Sequence, residues 1–417
     1  MKLIKPSILK GKILAPPSKS ITVRAAAAAL LSFEETHLLQ PSFCDDAQAA
    51  FRIIETLGAK VKHNQDENIC VMARMAAREK IVLNCGESAL AMRLFTPIAA
   101  LLNIPIKLKA RGTLQRRPMG FMEPALKQLN AWLQTANGKP PLWIKGPLQA
   151  GQAVVDGSLS SQFLSGLLMA LPLVQGKSEI RVPVLKSSPY VRMTLDLLSA
   201  FNIEIQSDKE LSHFIIPGNQ SYKRKEYIIG KDWSGASFLL VAGALCGSVS
   251  VEGLDIYSPQ PDKRILEALE TAGAKVSISS NSITVENQSL NSFDFDASQC
   301  PDLIPPLAVL AAGCRGVSRL KGTDRLTHKE SNRKQALLTE LGKIGVDIKS
   351  EGHSLIIKGG PIKGGTVHSY HDHRLAMAEA VAGLSSKTGV KIKNWQAVSK
   401  SYPAFFHDLK SLGGNIR

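Results

Sequence analysis

The chain repeats one local pattern six times at an almost constant spacing. A helix-like segment ends at a Gly or Asn and a strand-like segment follows, as in Thr271-Ala272-Gly273-Ala274-Lys275-Val276. The pattern centres on Gly58, Asn130, Asn202, Gly273, Gly345 and Gly413, with spacings of 72, 72, 71, 72 and 68 residues. Just past a helix C-terminus the chain often needs a left-handed residue, which Gly tolerates best and Asn next best. The repeat therefore predicts six copies of one folding unit.

The period sets the size of that unit. About 70 residues is too long for a solenoid repeat of one or two elements. It suits a small α/β unit of two helices and about four strands. Three units make roughly 200 residues, a normal domain size. The repeat thus predicts an α/β (α+β) chain with two similar domains of three units each.

Composition limits the class of protein. No apolar run reaches the ~20 residues of a membrane span, and Met1 to Lys12 is too polar for a signal peptide. The six cysteines have no Cys-x-x-Cys spacing, which argues against a zinc site and a disulfide framework and favours a cytoplasmic protein. His371 and His373 form a His-x-His pair without a third ligand nearby in sequence, so we expect no metal.

The net charge of +16 leaves two kinds of partner open. Nucleic acid is one. However, aromatic residues make up only 6% of the chain, and it has no dense Lys/Arg block. An anionic small substrate explains the charge at least as well.

Clusters of cations and hydroxyls stand at several predicted helix starts. Ser18 or Ser20 can cap the first helix, with Lys19 at its mouth and Arg24 one turn further on. Such a cluster can bind a phosphorylated or carboxylated molecule, although an ordinary capped helix with two solvated cations is the alternative. We also expect a helix from Pro118 to Trp132, which would place Arg117 at its N-terminus.

A carboxylate lies among cations in the fifth repeat. Lys329, Glu330 and Arg333 fall within one helical turn. A carboxylate in this setting can stay ionised and act as a base. The alternative is a surface ion-pair cluster, which would be worth little.

As an ordered set, these motifs resemble the 5-enolpyruvylshikimate-3-phosphate synthase family (3-phosphoshikimate 1-carboxyvinyltransferases). The matching stretches cover essentially the whole chain: Ser18-Lys19-Ser20 with Arg24, Arg117-Pro118, Asp156-Gly157-Ser158 with Ser160-Ser161-Gln162, Ser187 with Pro189-Tyr190, Pro301-Asp302, Lys329-Glu330 with Arg333, Asp372-His373-Arg374, and Lys400 with Pro403.

The resemblance implies the enolpyruvyl transferase-like fold, an inside-out α/β barrel of two domains with three βαβαββ-type units each. The domains would be 1–17 plus 230–417, and 18–229, with hinges near 16–20 and 228–232. The two domains would close on substrate by induced fit.

The resemblance also implies an activity. The family transfers the enolpyruvyl group of phosphoenolpyruvate to the 5-hydroxyl of shikimate 3-phosphate and releases phosphate, on the shikimate pathway to chorismate and the aromatic amino acids. It implies no cofactor, no metal, no nucleic acid and no membrane, and we expect a monomer.

Site residues follow from the motif matches. The catalytic residues would be Lys19, Asp302 and Glu330. Shikimate 3-phosphate would contact Lys19, Ser20, Arg24, Ser160, Ser161, Gln162, Ser187, Tyr190, Asp302 and Lys329. Phosphoenolpyruvate would contact Lys19, Ala89, Arg117, Gln162, Arg333, Arg374 and Lys400.

One stretch departs from the family pattern. The common Asn-Ala-Gly-Thr-Ala-Met-Arg here reads Glu87-Ser88-Ala89-Leu90-Ala91-Met92-Arg93. The methyl group of Ala89 would point at the phosphoenolpyruvate pocket, where the herbicide glyphosate also binds. Glyphosate is the longer molecule, so we expect reduced glyphosate sensitivity. Two further departures have no evident role in the sequence. Glu87 stands in place of Asn, and Arg325 stands where many members have Asn.

Three rival functions stay open. The sister enolpyruvyl transferase acts on UDP-N-acetylglucosamine, but its signature has Lys-Asn where this chain has Lys19-Ser20, and it uses a loop cysteine that does not accompany Arg117 here. A basic nucleic-acid-binding repeat protein is the second rival. An inactive relative used as a binding module is the third, although Lys19, Asp302, Glu330 and Lys400 are all in place.

Overall fold

The chain divides into two compact units. The computed structural model describes residues 1–63, 68–72 and 80–417. The terminal unit comprises Met1–Pro16 and Lys231–Arg417, and the central unit comprises Pro17–Gly230. Within the described ranges, no helix has both the length and the apolar character needed to cross a membrane. The expected hinges and their closure stay predictions.

Short strands alternate with helices along the described chain. The first strands are β1 (Lys2–Ile4), β2 (Leu9–Leu14), β3 (Thr36–Leu39), β4 (Lys60–His63), β5 (Ile69–Met72), β6 (Ile81–Asn84), β7 (Pro105–Lys109), β8 (Trp132–Ala136), β9 (Lys139–Lys145), β10 (Gln152–Val154), β11 (Ser178–Arg181), β12 (Gln206–Ser207) and β13 (His213–Ile216). The later strands are β14 (Glu226–Ile228), β15 (Gly247–Glu252), β16 (Lys275–Ile278), β17 (Ser282–Glu286), β18 (Asp294–Asp296), β19 (Val317–Lys321), β20 (Asp347–Glu351), β21 (Ser354–Lys358), β22 (Gly365–His368) and β23 (Val390–Lys393).

The helices fall into the same two groups. The central unit has α1 (Lys19–Leu31), α2 (Asp45–Thr56), α3 (Ala89–Ala99), α4 (Glu123–Gln128), α5 (Gln162–Ala170) and α6 (Ser188–Ala200). The terminal unit has α7 (Trp233–Cys246), α8 (Ile265–Thr271), α9 (Ile304–Gly313), α10 (Arg333–Lys343), α11 (His373–Leu384) and α12 (Phe405–Ser411).

One sheet design recurs through both units. The described sheets of the central unit have the orders β14-β3-β5-β4, β6-β7-β9-β8 and β10-β11-β13-β12. Those of the terminal unit are β2-β15-β17-β16, β18-β19-β21-β20 and the three-stranded β22-β23-β1. In each four-stranded sheet the first two strands are parallel and the other pairings are antiparallel, as in β6, β7, β9 and β8. The segment β6-α3-β7-α4-β8-β9 has the expected βαβαββ order, so the predicted fold class is confirmed.

The six repeat positions all adopt the predicted left-handed conformation. Their φ angles lie between 59° (Asn130) and 109° (Gly58), and each stands two residues past the end of its helix. At Gly273 the backbone N–H donates to the Glu270 carbonyl, and the next N–H, of Ala274, donates to the Leu269 carbonyl, both at 2.9 Å. The other five positions make the same two bonds. This Schellman pairing satisfies carbonyls that a helix end leaves without partners.

Buried helices form the interior of each unit. All residues of α3 and α11 are buried, and Ala25 to Ala29 of α1 have no exposed surface. A helix that is apolar on every side must pack on every side. In the central unit α3 packs on α5 and α1, and in the terminal unit α7, α9 and α11 pack on one another. These buried helices therefore lie inside their units, whereas strands such as β4, β16 and β20 carry exposed residues.

The left-handed repeat positions can be tested at Gly273. An added Cβ there would meet only ordinary contacts, the nearest being the Ser289 carbonyl oxygen at 3.6 Å, so Gly273→Ala tests the backbone conformation alone. We expect it to lower the free energy of unfolding by about 1–2 kcal/mol in urea titrations. The matched control is Gly342→Ala, inside α10 with no atom within 4 Å of the added Cβ. That change should raise stability by about 0.5–1 kcal/mol. Equal changes in the free energy of unfolding for the two variants would contradict the requirement for a left-handed residue at Gly273.

Candidate active site

The Asp302 carboxylate is the centre of a polar cluster in the terminal unit. It lies in a 3₁₀ turn, Pro301–Leu303, which leads into α9. It accepts hydrogen bonds from Arg333 Nη1 at 2.7 Å, Arg374 Nη2 at 3.1 Å and Lys329 Nζ at 3.2 Å. Its side chain is 19% exposed. Three cations thus converge on one nearly buried carboxylate.

These cations control the ionisation of the cluster. Burial alone would raise the pKa of the Asp302 carboxyl, but the charges of Arg374, Lys329 and Arg333 outweigh burial and hold that pKa well below its usual range. Burial lowers the pKa of Lys329 to about 8, although Asp302 opposes the shift. The cluster therefore contains an ionised carboxylate beside an ammonium group that loses its proton readily.

Arg333 joins this carboxylate to two others. Its guanidinium donates to both Asp372 oxygens, through Nε at 2.7 Å and Nη2 at 3.2 Å, and also to Glu330. Asp372 is fully buried and caps α11 by accepting the Arg374 backbone N–H at 3.0 Å. The hypothesis of a solvated surface ion-pair cluster is wrong, because Arg333 is only 1% exposed.

The first turns of α7 and α11 contribute to the same cluster. Arg374 Nη2 donates to Ser234 Oγ at 3.1 Å, and Ser234 also contacts the buried Asp262. Burial raises the pKa of Asp262 to about 7, against the opposing charge of Arg374.

Lys400, at the end of a 3₁₀ turn, is buried and donates to the His371 carbonyl at 2.6 Å. Sequence reasoning missed Ser234, Asp262 and the role of Asp372.

A second cluster lies in the central unit around Arg24. Ser18, not Ser20, caps α1 by accepting the Ile21 N–H. Arg24 is 1% exposed and donates to Thr194 Oγ1 at 2.8 Å, the Ser20 carbonyl at 3.0 Å and Ser165 Oγ at 3.5 Å. Burial lowers its pKa to about 10. Its charge is therefore surrounded by neutral oxygens from α1, α5 and α6.

The predicted serine residues stand around α5 and α6. Ser160, Ser161 and Ser187 are buried. Ser160 Oγ accepts the Gln162 N–H at 3.2 Å. Ser187 begins α6 in a left-handed conformation, with φ 62°, and its carbonyl accepts the Tyr190 N–H at 3.1 Å.

Lys19 and Gln162 have partners that the sequence did not reveal. Lys19 Nζ lies 3.1 Å from the carboxylate of Asp46, which stands in the first turn of α2. Arg93 Nη1 donates to Gln162 Oε1 at 3.1 Å, and its Nη2 donates to the Pro118 carbonyl at 3.1 Å. Arg93 belongs to a motif that the sequence analysis identified. Its contact with Gln162, however, joins α3 to α5 and depends on how these helices pack.

The predicted helix from Pro118 to Trp132 is confirmed only in its middle, where α4 spans Glu123–Gln128, and is wrong at both ends. Two 3₁₀ turns, Gly112–Arg116 and Gly120–Met122, precede α4, and Trp132 begins β8. Arg117 therefore lies in extended backbone between these turns and is buried. The three-residue gap between α4 and β8 leaves no length for the longer helix.

Glu87 and Arg325, whose roles the sequence left open, both bond to neighbouring backbone. Glu87 Oε2 accepts the Thr113 N–H at 2.9 Å and the Thr113 hydroxyl at 3.1 Å. Arg325 Nη2 donates to the Ser298 carbonyl at 2.7 Å. Ala89 is the first residue of α3, directly after the cap Ser88, and is 3% exposed.

Comparisons with known proteins agree on one family. A model of EPSP synthase (3-phosphoshikimate 1-carboxyvinyltransferase) matches residues 3–409. A 3-phosphoshikimate 1-carboxyvinyltransferase of Clostridium perfringens is 38% identical over 100% of this chain and 99% of its own length. The enzyme of that name from Methanosarcina acetivorans is 37% identical, covering 99% of this chain and 98% of its own.

Solved structures share the fold at lower identity. An EPSP synthase from Acinetobacter baumannii matches with TM-score 0.84 at 24% identity, over 100% of this chain and 99% of that one. The enolpyruvyl transferase NikO from Streptomyces tendae matches with TM-score 0.77 at 17% identity, over 100% and 98%. From the family model over residues 3–409 and the two relatives at 38% and 37% identity, the chain belongs to the EPSP synthase (3-phosphoshikimate 1-carboxyvinyltransferase) family.

Proposed function

We propose that this chain transfers the enolpyruvyl group of phosphoenolpyruvate to the 5-hydroxyl of shikimate 3-phosphate and releases phosphate. The observation that carries the proposal is the Asp302 carboxylate, ionised and held by Lys329, Arg333 and Arg374. The names of the full-length relatives support the choice of substrates.

The reaction needs several proton transfers and stabilisation of charge. The 5-hydroxyl oxygen bonds to C2 of phosphoenolpyruvate and loses its proton to a base, while the methylene carbon gains a proton. The tetrahedral intermediate then loses a methyl proton and phosphate. An ionised carboxylate suits the base, and fixed cations stabilise phosphate and carboxylate groups. We assign proton transfer to Asp302 and Glu330, and assistance to the leaving phosphate to Lys19.

Binding roles divide between the two clusters. Because neutral hydroxyls surround the buried Arg24 charge, an anion would compensate that charge. We assign the phosphate of shikimate 3-phosphate to this region, with Ser160, Ser161, Ser187 and Tyr190. Lys329 binds the same substrate, and Gln162 contacts both substrates. Phosphoenolpyruvate is assigned to Arg117, Arg333, Arg374 and Lys400.

We further propose that the enzyme is a monomer and is located in the cytoplasm. Sedimentation equilibrium would measure its mass in solution and so test the monomer.

Phosphate release tests the reaction directly. We expect release only when both substrates are present, and a loss of about 10²–10⁴-fold in Asp302→Asn, because the base is lost. Asp294→Asn, an exposed position on β18, is the matched control and should keep full activity. Release with UDP-N-acetylglucosamine in place of shikimate 3-phosphate would assign the chain to the sister reaction. No release with either acceptor, together with a salt-dependent shift of DNA or RNA, would favour the nucleic-acid alternative.

The lowered pKa of Lys329 predicts a basic limb in the pH profile. The ammonium form exists below about pH 8 and is lost as the pH rises through that value. If this form binds shikimate 3-phosphate, kcat/KM for that substrate should fall above pH 8, toward about tenfold per pH unit. Lys329→Arg keeps its charge and should remove this limb or move it to higher pH. An identical limb in both enzymes would contradict the assignment.

Ala89 is proposed to limit glyphosate binding. Ala89→Gly should lower the inhibition constant for glyphosate by about tenfold and change KM for phosphoenolpyruvate less, because one methyl group is removed. Ala91→Gly, two residues later in the same buried helix, controls for a glycine in α3. Competitive inhibition of the unaltered enzyme by glyphosate at nanomolar to low-micromolar concentration would contradict the proposal.

A further inference from the structure

A thiol, an imidazole and a carboxylate lie together on one sheet of the central unit, apart from both polar clusters. His37 of β3 stands directly opposite Cys70 of β5, and Glu35 lies two residues before His37. One potential ligand atom from each of the three lies within 4.8 Å of the other two. We call these residues the Glu35–His37–Cys70 group.

The group occupies the accessible face of its sheet. Thr36 and Leu38 are buried on the opposite face, whereas His37 and Cys70 are half-buried and Glu35 is exposed. His37 Nε2 lies 3.1 Å from Glu35 Oε1. A metal ion from solvent can therefore reach all three side chains without opening the core.

The backbone that carries His37 is fixed on both sides. On one side the His37 N–H donates to the Lys225 carbonyl at 2.7 Å, and Thr36 Oγ1 donates to the Arg224 carbonyl at 2.8 Å. On the other side β3 pairs with β5 through His37 and Cys70. Only side-chain rotations are needed to bring the ligand atoms closer.

We propose that the Glu35–His37–Cys70 group binds a divalent transition-metal ion of the Zn²⁺ type. In a tetrahedral zinc site the ligands lie about 2.0–2.3 Å from the ion, and so about 3.5 Å from one another. The three ligand atoms already lie within 4.8 Å of one another, so binding would draw them closer together. The fourth position is available to water or a small ligand.

The ligand types define the class of metal. A thiolate and an imidazole favour Zn²⁺ or Co²⁺ over Mg²⁺ and Ca²⁺, which prefer oxygen ligands. On binding, the Cys70 thiol releases its proton to solvent, and the thiolate and the Glu35 carboxylate together balance the two charges of the ion. Glu226 is in register with His37 and Lys62 with Cys70. Glu34, Arg224 and Lys225 line the same pocket as Glu35 and His37, so charges of both signs flank the group.

This proposal departs from the expectation of no metal. That expectation rested on the absence of Cys-x-x-Cys spacing, on a His-x-His pair with no third ligand nearby in sequence, and on the family resemblance. The first two are tests of local sequence only. Here one cysteine and one histidine 33 positions apart meet through antiparallel register. A linear motif search does not detect this arrangement.

Cobalt absorption tests the site. The full chain, reduced and stripped of metal, is titrated with Co²⁺, which reports thiolate ligation by an intense sulfur-to-cobalt charge-transfer band. We expect about one Co²⁺ per chain, displaced by Zn²⁺, and no such band in Cys70→Ser. His37→Ala should weaken binding by roughly tenfold or more.

The controls separate this site from other histidines and from misfolding. His407→Ala, whose side chain is 83% exposed in the terminal unit, should leave binding unchanged. Cys70→Ser should keep its circular dichroism spectrum and its phosphate-release rate, because Cys70 is not among the proposed active-site residues. No charge-transfer band in the unaltered chain, or a band that survives in Cys70→Ser, would overturn the proposal while leaving the transferase assignment untouched.

Discussion

Burial of helices on every side is the constraint on which each unit depends. A helix inside the protein cannot leave its first N–H groups to water, so they need partners. Ser18, Ser88, Asp232 and Asp372 cap α1, α3, α7 and α11 with side-chain oxygens. In the terminal cluster, Ser234 lies at the start of α7, and Asp372 and Arg374 lie at the start of α11. The fold therefore concentrates hydrogen-bonding groups where an anion is also favoured by the helix dipole.

The two clusters balance charge in different ways. Arg333 is buried among Asp372, Glu330 and Asp302, and removing one partner of a buried ion pair typically costs about 3–5 kcal/mol. Asp302 thus has a structural role in addition to its proposed role as a base. Arg24 instead contacts hydroxyl and carbonyl oxygens, so its positive charge is solvated but not neutralised. Both clusters thus hold a buried arginine, but only in the terminal cluster is that arginine paired with carboxylates.

Local patterns in the sequence predicted the fold well and the contacts poorly. The six left-handed positions could be read from the sequence because a helix end needs Gly or Asn whatever surrounds it. The contact between Glu330 and Arg333 was also predictable, since the two residues are three positions apart. By contrast, the Arg93 contact with Gln162 and the pairing of His37 with Cys70 depend on packing and strand register. The helix predicted from Pro118 to Trp132 is shorter in the structure because its first part folds as a 3₁₀ turn, Gly120–Met122, and its last residue already belongs to β8.

Glu87 illustrates how a departure from the family pattern can be absorbed locally. Its carboxylate bonds to the backbone and hydroxyl of Thr113, and a Cβ at Gly112, where φ is 51°, would collide with it. The negative charge is therefore engaged by the turn that precedes Arg117. Ser88 still caps α3 through the Ala91 N–H, so the start of that helix keeps its geometry. Glu87 thus changes the contacts that hold the loop before Arg117. The methyl group of Ala89 is the departure that is proposed to affect the phosphoenolpyruvate pocket.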